Sequence, residues 1–318
     1  MQKWTDNAHQ INAKNAGIGL RTPHYNDILQ TKPDLGFLEI HIENYFPKGG
    51  KTVRALREAA EQYAMSFHGV SMSLGSATEP DKEHLKRTKQ LIDQFKPALI
   101  SEHLSWSSID NQYANDLLPV PYTEEALHTF CHNVNVVQDT LGRQILIENP
   151  SAYLLYKDNA IAEWDFMTEL TTRTGCGMLL DVNNVFVSTQ NMGTDAFAHM
   201  NNMPLDALKE IHLAGHTIKN YNGEDYKSSD PRAAAQVLNA DGTMTDAHSG
   251  RTIRIDTHSD IVCDDVWAMY KHLIQKTGAV ATLIEWDMDI PSLDILVNEA
   301  HKATAIMKRI AEARVNVA

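Results

Sequence analysis

An α/β fold, a closed TIM (β/α)8 barrel, is what the 318-residue sequence predicts, and three observations carry that reading. Eight short runs rich in β-formers recur along the chain. Helical stretches separate them, and titratable residues gather at the C-terminal ends of the runs. The runs are AGIGLR (16–21), GFLEIH (36–41), MSFHGV (65–70), ALISEHL (98–104), QILIEN (144–149), GMLLDVN (177–183), EIHLAGH (210–216) and ATLIEW (281–286). Except for a gap of 71 residues before the last run, their starts lie 20 to 46 residues apart. That brackets the ~31 residues per βα unit of a ~250-residue barrel.

The segments between the runs read as helices. In 52–63, Val53, Leu56, Ala60 and Tyr63 fall on one face, and in 82–96 Leu85, Leu91, Ile92 and Phe95 do the same. Asp81 and Glu83 suit a positive helix start. Thr123 and Gly142 are start and stop signals around 123–141, and an apolar stripe runs along 292–313 after Pro291. Alternating β and α elements predict a parallel sheet covered by helices, and eight such units predict closure. One domain is expected over 1–318. Its polar, Asn/Asp/Gly-rich insertion at 217–262 leaves the seventh strand and so should lie over the C-terminal mouth.

Composition narrows the function. The chain is 43% hydrophobic and 22% charged, with a formal charge of −13, so generic attraction to nucleic acid or anionic lipid is disfavoured. No apolar run is long enough to span a bilayer, and the first residues lack the apolar segment of a signal peptide. Cys131, Cys176 and Cys263 are scattered and odd in number, which predicts reduced thiols in the cytoplasm. The 15 histidines are the unusual count.

In barrels of this kind the chemistry sits at the C-terminal strand ends. Here those ends carry His68, Glu102-His103, Glu148-Asn149, Asp181 with Asn183 and Asn184 after it, His212 and His216, then Glu285 and Asp287. The insertion adds Asp256 and His258. Side chains two apart on a strand face the same way, which puts Asp181 with Asn183, His212 with His216 and, if that segment is extended, Asp256 with His258. So many carboxylates in one cavity would repel, and a multivalent cation removes that cost. Imidazole and carboxylate without clustered thiolate suit iron, manganese or zinc.

Single histidines are more often hydrogen-bonded core or rim residues than ligands. His41, His128, His132, His272 and His301 are assigned that way. His24 is open between substrate contact and a structural role. Glu39, Glu43 and Asn44 are expected to support ligands from behind. Only one of Glu102 and His103 should face inward, and His103 is preferred. Trp106 and Trp286 are expected in the pocket wall.

The motifs GIGLRTPHYNDIL, FLEIHIENYF, SFHGVSMSLG, SEHLSW, LIENPSAY, LLDVNNVFVS, EIHLAGH, IDTHSDIV and LIEWD occur in that order. Together they resemble the methanobactin-biosynthesis iron-oxidase (MbnB-like) family of xylose-isomerase-like barrels, long filed as a bacterial family of unknown function. The resemblance runs from about residue 16 to 310. It implies two or three irons, with O2 as co-substrate. His68 and His103 would hold one iron, with Glu148 bridging to the next, which Asp181, His212 and Glu285 complete. His216, Asp256, His258 and one asparagine, Asn183 in preference to Asn184, would hold a third. The layout is also similar to the three-metal site of endonuclease IV barrels, from which the acidic charge departs. The resemblance further implies a cysteine-containing, ribosomally synthesised precursor peptide as substrate and a partner protein that presents it.

Two rival readings use the same residues. One is a zinc- or manganese-dependent hydrolase or isomerase of the xylose-isomerase-like or endonuclease IV-like class. No lysine at a strand end supports sugar isomerisation. The other is a non-catalytic metal-binding scaffold, which predicts a closed site with no exchangeable position.

Overall fold

The computed structural model describes residues 11–47, 49–109, 112–221, 236–238, 244–246 and 251–315. Eight parallel strands close into a barrel: β1 (Gly17–Gly19), β2 (Leu38–His41), β3 (Met65–His68), β4 (Leu99–His103), β5 (Leu146–Glu148), β6 (Gly177–Asp181), β7 (Leu208–Leu213) and β8 (Ala281–Ile284). Each pairs with its sequence neighbours, and β8 closes on β1. Around them lie α1 (Tyr25–Thr31), α2 (Lys51–Ala60), α3 (Lys82–Phe95), α4 (Glu124–Leu141), α5 (Glu163–Thr174), α6 (Val182–Met192), α7 (Ala196–Asn202), α8 (Asp264–Thr277) and α9 (Leu293–Val315).

Local chemistry sets the helix ends. Asp81 accepts from the His84 amide at 2.7 Å and Thr123 from the Ala126 amide at 3.2 Å, each satisfying a free N–H of a first turn. Gly142 ends α4 at φ 70°, which a side chain would resist. Leu85, Leu91 and Ile92 of α3 and Leu127, Phe130, Val134 and Val137 of α4 turn inward to the main apolar core between helices and strands.

The strands are shorter than their apolar runs. The sixth run stops being a strand at Asp181, whose Oδ1 accepts the Asn184 amide at 2.6 Å and starts α6 at once. The seventh stops at Leu213. Thr217–Tyr221 then pairs antiparallel with Arg251–Ile255, so the described ends of the 217–262 insertion form a two-stranded arm. Asn191 of α6 ties that arm down through both the amide and the carbonyl of Arg254. The 46-residue gap before the fifth run holds a hairpin, Trp106–Ile109 with Gln112–Leu118, that apolar periodicity did not signal. Residues 222–235, 239–243 and 247–250 of the insertion lie outside the described residues.

The barrel interior is layered. Phe37, Ala281 and Leu283 form a small apolar plug, with Leu99 and Ala64 against it. Two residues further along their strands stand Glu39, Ser66 and Ser101, all fully buried. Two more bring His41, His68 and His103. The two-residue strand period thus stacks a dry floor, a polar layer and a ring of imidazoles.

Candidate metal centre

Bonds across the lumen identify the inward side chains. Ser66 Oγ on β3 donates to Glu210 Oε2 on β7 at 3.2 Å, and His212 Nε2 on β7 meets Glu39 Oε2 on β2 at 3.2 Å. Neither pair of strands is adjacent.

Above that layer three ligand atoms converge. His68 Nε2 and His103 Nε2 lie 3.3 Å apart, and Glu148 Oε2 is 3.3 Å from the first and 3.2 Å from the second. The far nitrogens are occupied: His103 Nδ1 donates to the Gly69 carbonyl at 3.2 Å, and His68 Nδ1 bonds Ser101 Oγ at 2.7 Å. Those bonds orient both Nε2 atoms toward one point, where each offers a lone pair once any proton on it is displaced.

A second group shares Glu148. Its Oε1 stands 3.8 Å from His212 Nδ1, which lies 2.8 Å from Glu285 Oε2, and Asp181 completes a buried cluster of four whose ligand atoms lie within 4.8 Å of one another. His258 reaches in from the insertion. Its Nε2 is 2.7 Å from Asp256 Oδ1 and 3.8 Å from Asp181 Oδ2, and its Nδ1 is 3.3 Å from both Glu285 Oε2 and Asp287 Oδ2. His258 holds this pose at φ 45°, a strained conformation of the kind found at functional sites. Asn183 links the remaining pair: its Oδ1 lies 2.9 Å from His216 Nδ1, and its Nδ2 donates to Asp256 Oδ1 at 2.8 Å.

The charges are perturbed accordingly. Burial pulls His103 down, but Glu148 and Glu102 outweigh it and hold the ring up at about 9. Glu148 is pushed up to about 7, burial outweighing the pull of His103 and His212. Burial, followed by His103, drives His68 well below the usual histidine range. Burial also lifts Asp181, and Asp256 adds to it. Glu285 is lowered despite its burial, because His258 and His212 face it. Below the ring, burial and Glu39 push Glu210 up to about 8. Without a cation the pocket therefore keeps protons on groups that a cation would displace.

The structure brings together all ten residues singled out from the sequence: His68, His103, Glu148, Asp181, Asn183, His212, His216, Asp256, His258 and Glu285. It corrects three of the phase arguments. Asn183 sits on α6, His216 lies beyond β7, and Asp256 and His258 lie past the strand ending at Ile255, so none of these pairs shares a strand face. Asn183 meets His216 and Asp256 through the first turn of a helix instead. Asn184 turns away, its Nδ2 donating to the Asn149 carbonyl and its Oδ1 accepting from Ser151 Oγ. Glu102 also turns away, accepting from the Met72 and His103 amides at 2.7 Å each. His24 is structural: its Nε2 donates to the Pro291 carbonyl at 2.8 Å.

Arg21 and Glu210 at this centre were not singled out, while Glu39, expected to support ligands from behind, does so, and His41 stands closer to the centre than a rim residue. Arg21 is buried, pairs with Asp287 Oδ1 at 2.7 Å and stands 3.7 Å from Glu285. His41, assigned to the rim, contacts Arg21 at 2.9 Å and Glu285 Oε1 at 3.5 Å. Glu39 touches His212 directly, and Glu210 lies beside both. Their one available signal was the strand period, which puts Glu39 in phase with His41 and Glu210 in phase with His212.

Orphaned atoms test whether the residues fit metal. Glu148 Oε2 and Asp181 Oδ2 are buried without a hydrogen-bond partner, with His103 Nε2 standing 3.2 Å from the first and His258 Nε2 3.8 Å from the second. Leaving such atoms unmade costs free energy that a coordinated cation recovers. Nitrogen and oxygen donors without thiolate fit a borderline divalent or trivalent ion.

The fold and site together define a closed (β/α)8 barrel with imidazoles and carboxylates buried together at its C-terminal end in groups that could hold metal ions. Solved structures agree on the fold. L-ribulose 3-epimerase superposes with a TM-score of 0.57 at 12% identity over 96% of this chain and 98% of that one. A xylose isomerase-like TIM barrel protein from Mycobacterium smegmatis in complex with magnesium gives 0.51 at 12% identity, over 93% and 97%. Sequence comparison goes further. The family model described as RiPP precursor modification enzyme MbnB/TglH/ChrH matches residues 15–308, and the chain belongs to that family. A UPF0276 protein of Vibrio vulnificus is 45% identical over 92% of this chain and 91% of its own. Another from Chromobacterium violaceum is 44% identical over 92% and 94%.

Proposed function

We propose that this protein is an O2-dependent, multinuclear non-haem iron oxidase that modifies cysteine residues of a ribosomally synthesised peptide. One observation carries the metal part: the two oxygens of the buried Glu148 face two different ligand groups, His68 with His103 on one side and His212 on the other. Membership in a family of precursor-modifying enzymes supports a peptide substrate.

His68, His103 and Glu148 would hold one iron, and Asp181, His212 and Glu285, again with Glu148, a second. Asn183, His216, Asp256 and His258 would hold a third. Iron bound there supplies Lewis acidity toward a thiolate and redox chemistry with O2. The chain's own contribution is orientation and charge. Ser101 and Gly69 fix the rings of His68 and His103. Glu39 fixes His212. Arg21 offsets the negative charge of Asp287 and Glu285. The protein's own Cys176 thiol does not compete. Cys176 is buried and pushed up by burial to about 12, and all three cysteines are free. That fits a reducing cytoplasm. The reading includes a partner protein that presents the peptide. No helix of the described residues is long and apolar enough to cross a membrane.

The test pairs metal analysis of anaerobically purified protein with oxygen uptake in the presence of a cysteine-containing peptide. Iron at two or three per chain and peptide-dependent uptake are expected, and His103→Ala and Asp256→Ala should lower iron content with the barrel still folded. Zinc or manganese in place of iron, with turnover indifferent to O2, would overturn the proposal.

A further inference from the structure

The loop between β5 and α5 carries four consecutive large apolar side chains, Tyr153, Leu154, Leu155 and Tyr156, all exposed, Leu155 at 63%. A run of this kind on a barrel mouth marks a contact surface more often than chance. The loop is fastened to the metal side of the barrel. Ser151 Oγ bonds Asn184 Oδ1 at 2.9 Å, the Ala152 amide donates to Ser188 Oγ at 2.8 Å, and the Asp256 amide donates to the Tyr153 hydroxyl at 2.9 Å. Asp256 in turn touches His258.

Behind the loop lies a cavity of about 490 Å³, bounded by the starts of α5 and α7 and the end of α6. Leu155, Ile161, Trp164 and Met192 make its walls apolar. Its ionisable lining is Tyr122, Glu163, Asp195 and His199, with no lysine or arginine among the described residues that line it. Asp195 is spent on capping α7, accepting from the Phe197 and Ala198 amides. Glu163 caps no helix in that way, and the Tyr122 hydroxyl donates to it. Its Oε1 stands 3.6 Å from His199 Nε2, a buried nitrogen with no hydrogen-bond partner, and both side chains are close to nine-tenths buried. The volume suits one or two side chains. The charge favours a cation near the carboxylate.

We infer that this cavity anchors the peptide substrate, taking a bulky aliphatic residue against Leu155, Trp164 and Met192 and an adjacent basic group beside Glu163. The inference rests on the peptide-substrate reading above and names what part of the peptide is held. The Tyr153–Asp256 bond then links an occupied anchor to the residues proposed to hold metal. The occupant is the substrate rather than a partner protein because Tyr153, five residues after Glu148, accepts from the Asp256 amide, which puts the apolar run within reach of a chain that also enters the barrel.

The test uses the full, metal-free protein, so that it stands apart from the oxidase reading. Trp164 fluorescence is titrated with N-acetyl-leucyl-lysine amide, N-acetyl-leucyl-glutamate amide and N-acetyl-glycyl-lysine amide. A saturable response to the first, about tenfold weaker for the other two, is expected, and Leu155→Asp, a surface change that leaves the core intact, should weaken it by about tenfold. Trp164→Phe should remove the signal. In oxygen-uptake assays Leu155→Asp should raise KM and retain kcat. An equal response to all three probes overturns the anchor, as does binding indifferent to Leu155→Asp. Loss of partner binding with peptide binding intact would give this face to the partner and overturn it equally.

Discussion

Glu39 Oε2 lies 3.2 Å from His212 Nε2, with both side chains fully buried inside the barrel. A ring nitrogen held this way keeps its proton and leaves Nδ1 to face Glu285 and Glu148. Carboxylates placed behind a ligating histidine typically set metal affinity. Glu39→Gln retains the size but can also present an amide N–H, which would favour the opposite tautomer. We expect metal affinity, measured by competition with a chromophoric chelator, to fall about 10- to 100-fold with the fold intact. The tautomer of His212, read by nitrogen-15 NMR in metal-free protein, should shift. Unchanged affinity together with an unchanged tautomer would show Glu39 to be mere filling.

Glu148 joins two ligand groups, so its loss should be felt at both. Glu148→Gln keeps the volume and one oxygen but removes the charge. Bound metal per chain should fall by more than one ion, whereas His103→Ala should cost about one. Elemental analysis after identical purification separates the two patterns. If Glu148→Gln lost no more metal than His103→Ala, Glu148 would not be shared.

Much of this centre could be read from the chain because strand ends are where barrel chemistry must lie, and because His68, His103, Glu148, Asp181, His212 and Glu285 stand at or next to the ends of apolar runs. What the pattern could not fix was where each strand stopped. Asp181 is both a site residue and a helix cap, so the run GMLLDVN does not continue to Asn183 as a strand. The loop residues His216, Asp256 and His258 owe their placement to the insertion's arm and to the turn at His258. Glu39 was expected behind the ligands, but Ser66 and Glu210 beside it escaped notice because polar residues inside a strand give no sign of which face they take until the register is known. The hairpin of 106–118 was hidden for a similar reason. Its alternation is weak, and SSIDNQYAND reads as polar loop.

Arg21 shows what a buried charge does when its partner is itself functional. Its guanidinium donates to Asp287 Oδ1 through Nε at 2.9 Å and through a terminal nitrogen at 2.7 Å, and it also reaches the Glu39 carbonyl. Replacing it with methionine would leave Asp287 and Glu285 without their nearest fixed positive charge. Breaking a buried pair from one side costs about 3 kcal/mol or more. We expect Arg21→Met to destabilise the metal-free protein by roughly that amount in urea unfolding. Added metal should recover part of the loss, because a cation replaces the missing charge. A variant as stable as the parent without metal would mean that the pair contributes nothing net.

The same charge logic gives stability a pH dependence that metal should cancel. In the folded, metal-free protein His103 is held at about 9, Glu210 at about 8 and Glu148 at about 7. Each value lies above that of the unfolded chain, so between the two values the folded state binds more protons. Stability from these groups is present at low pH and is lost as pH rises through the folded values. For His103 the window runs from about 6.5 to 9, and the two carboxylates add to the loss over its lower part. The melting temperature of chelator-treated protein should therefore fall between pH 6.5 and 9, on the order of 5 °C. Metal-loaded protein should be flatter over that range, and loading at pH 7 should release protons, since the cation takes the place they held. Titration in buffers of different ionisation enthalpy counts those protons. A metal-free melting temperature that rose over the same window would contradict the raised values on which this reasoning stands.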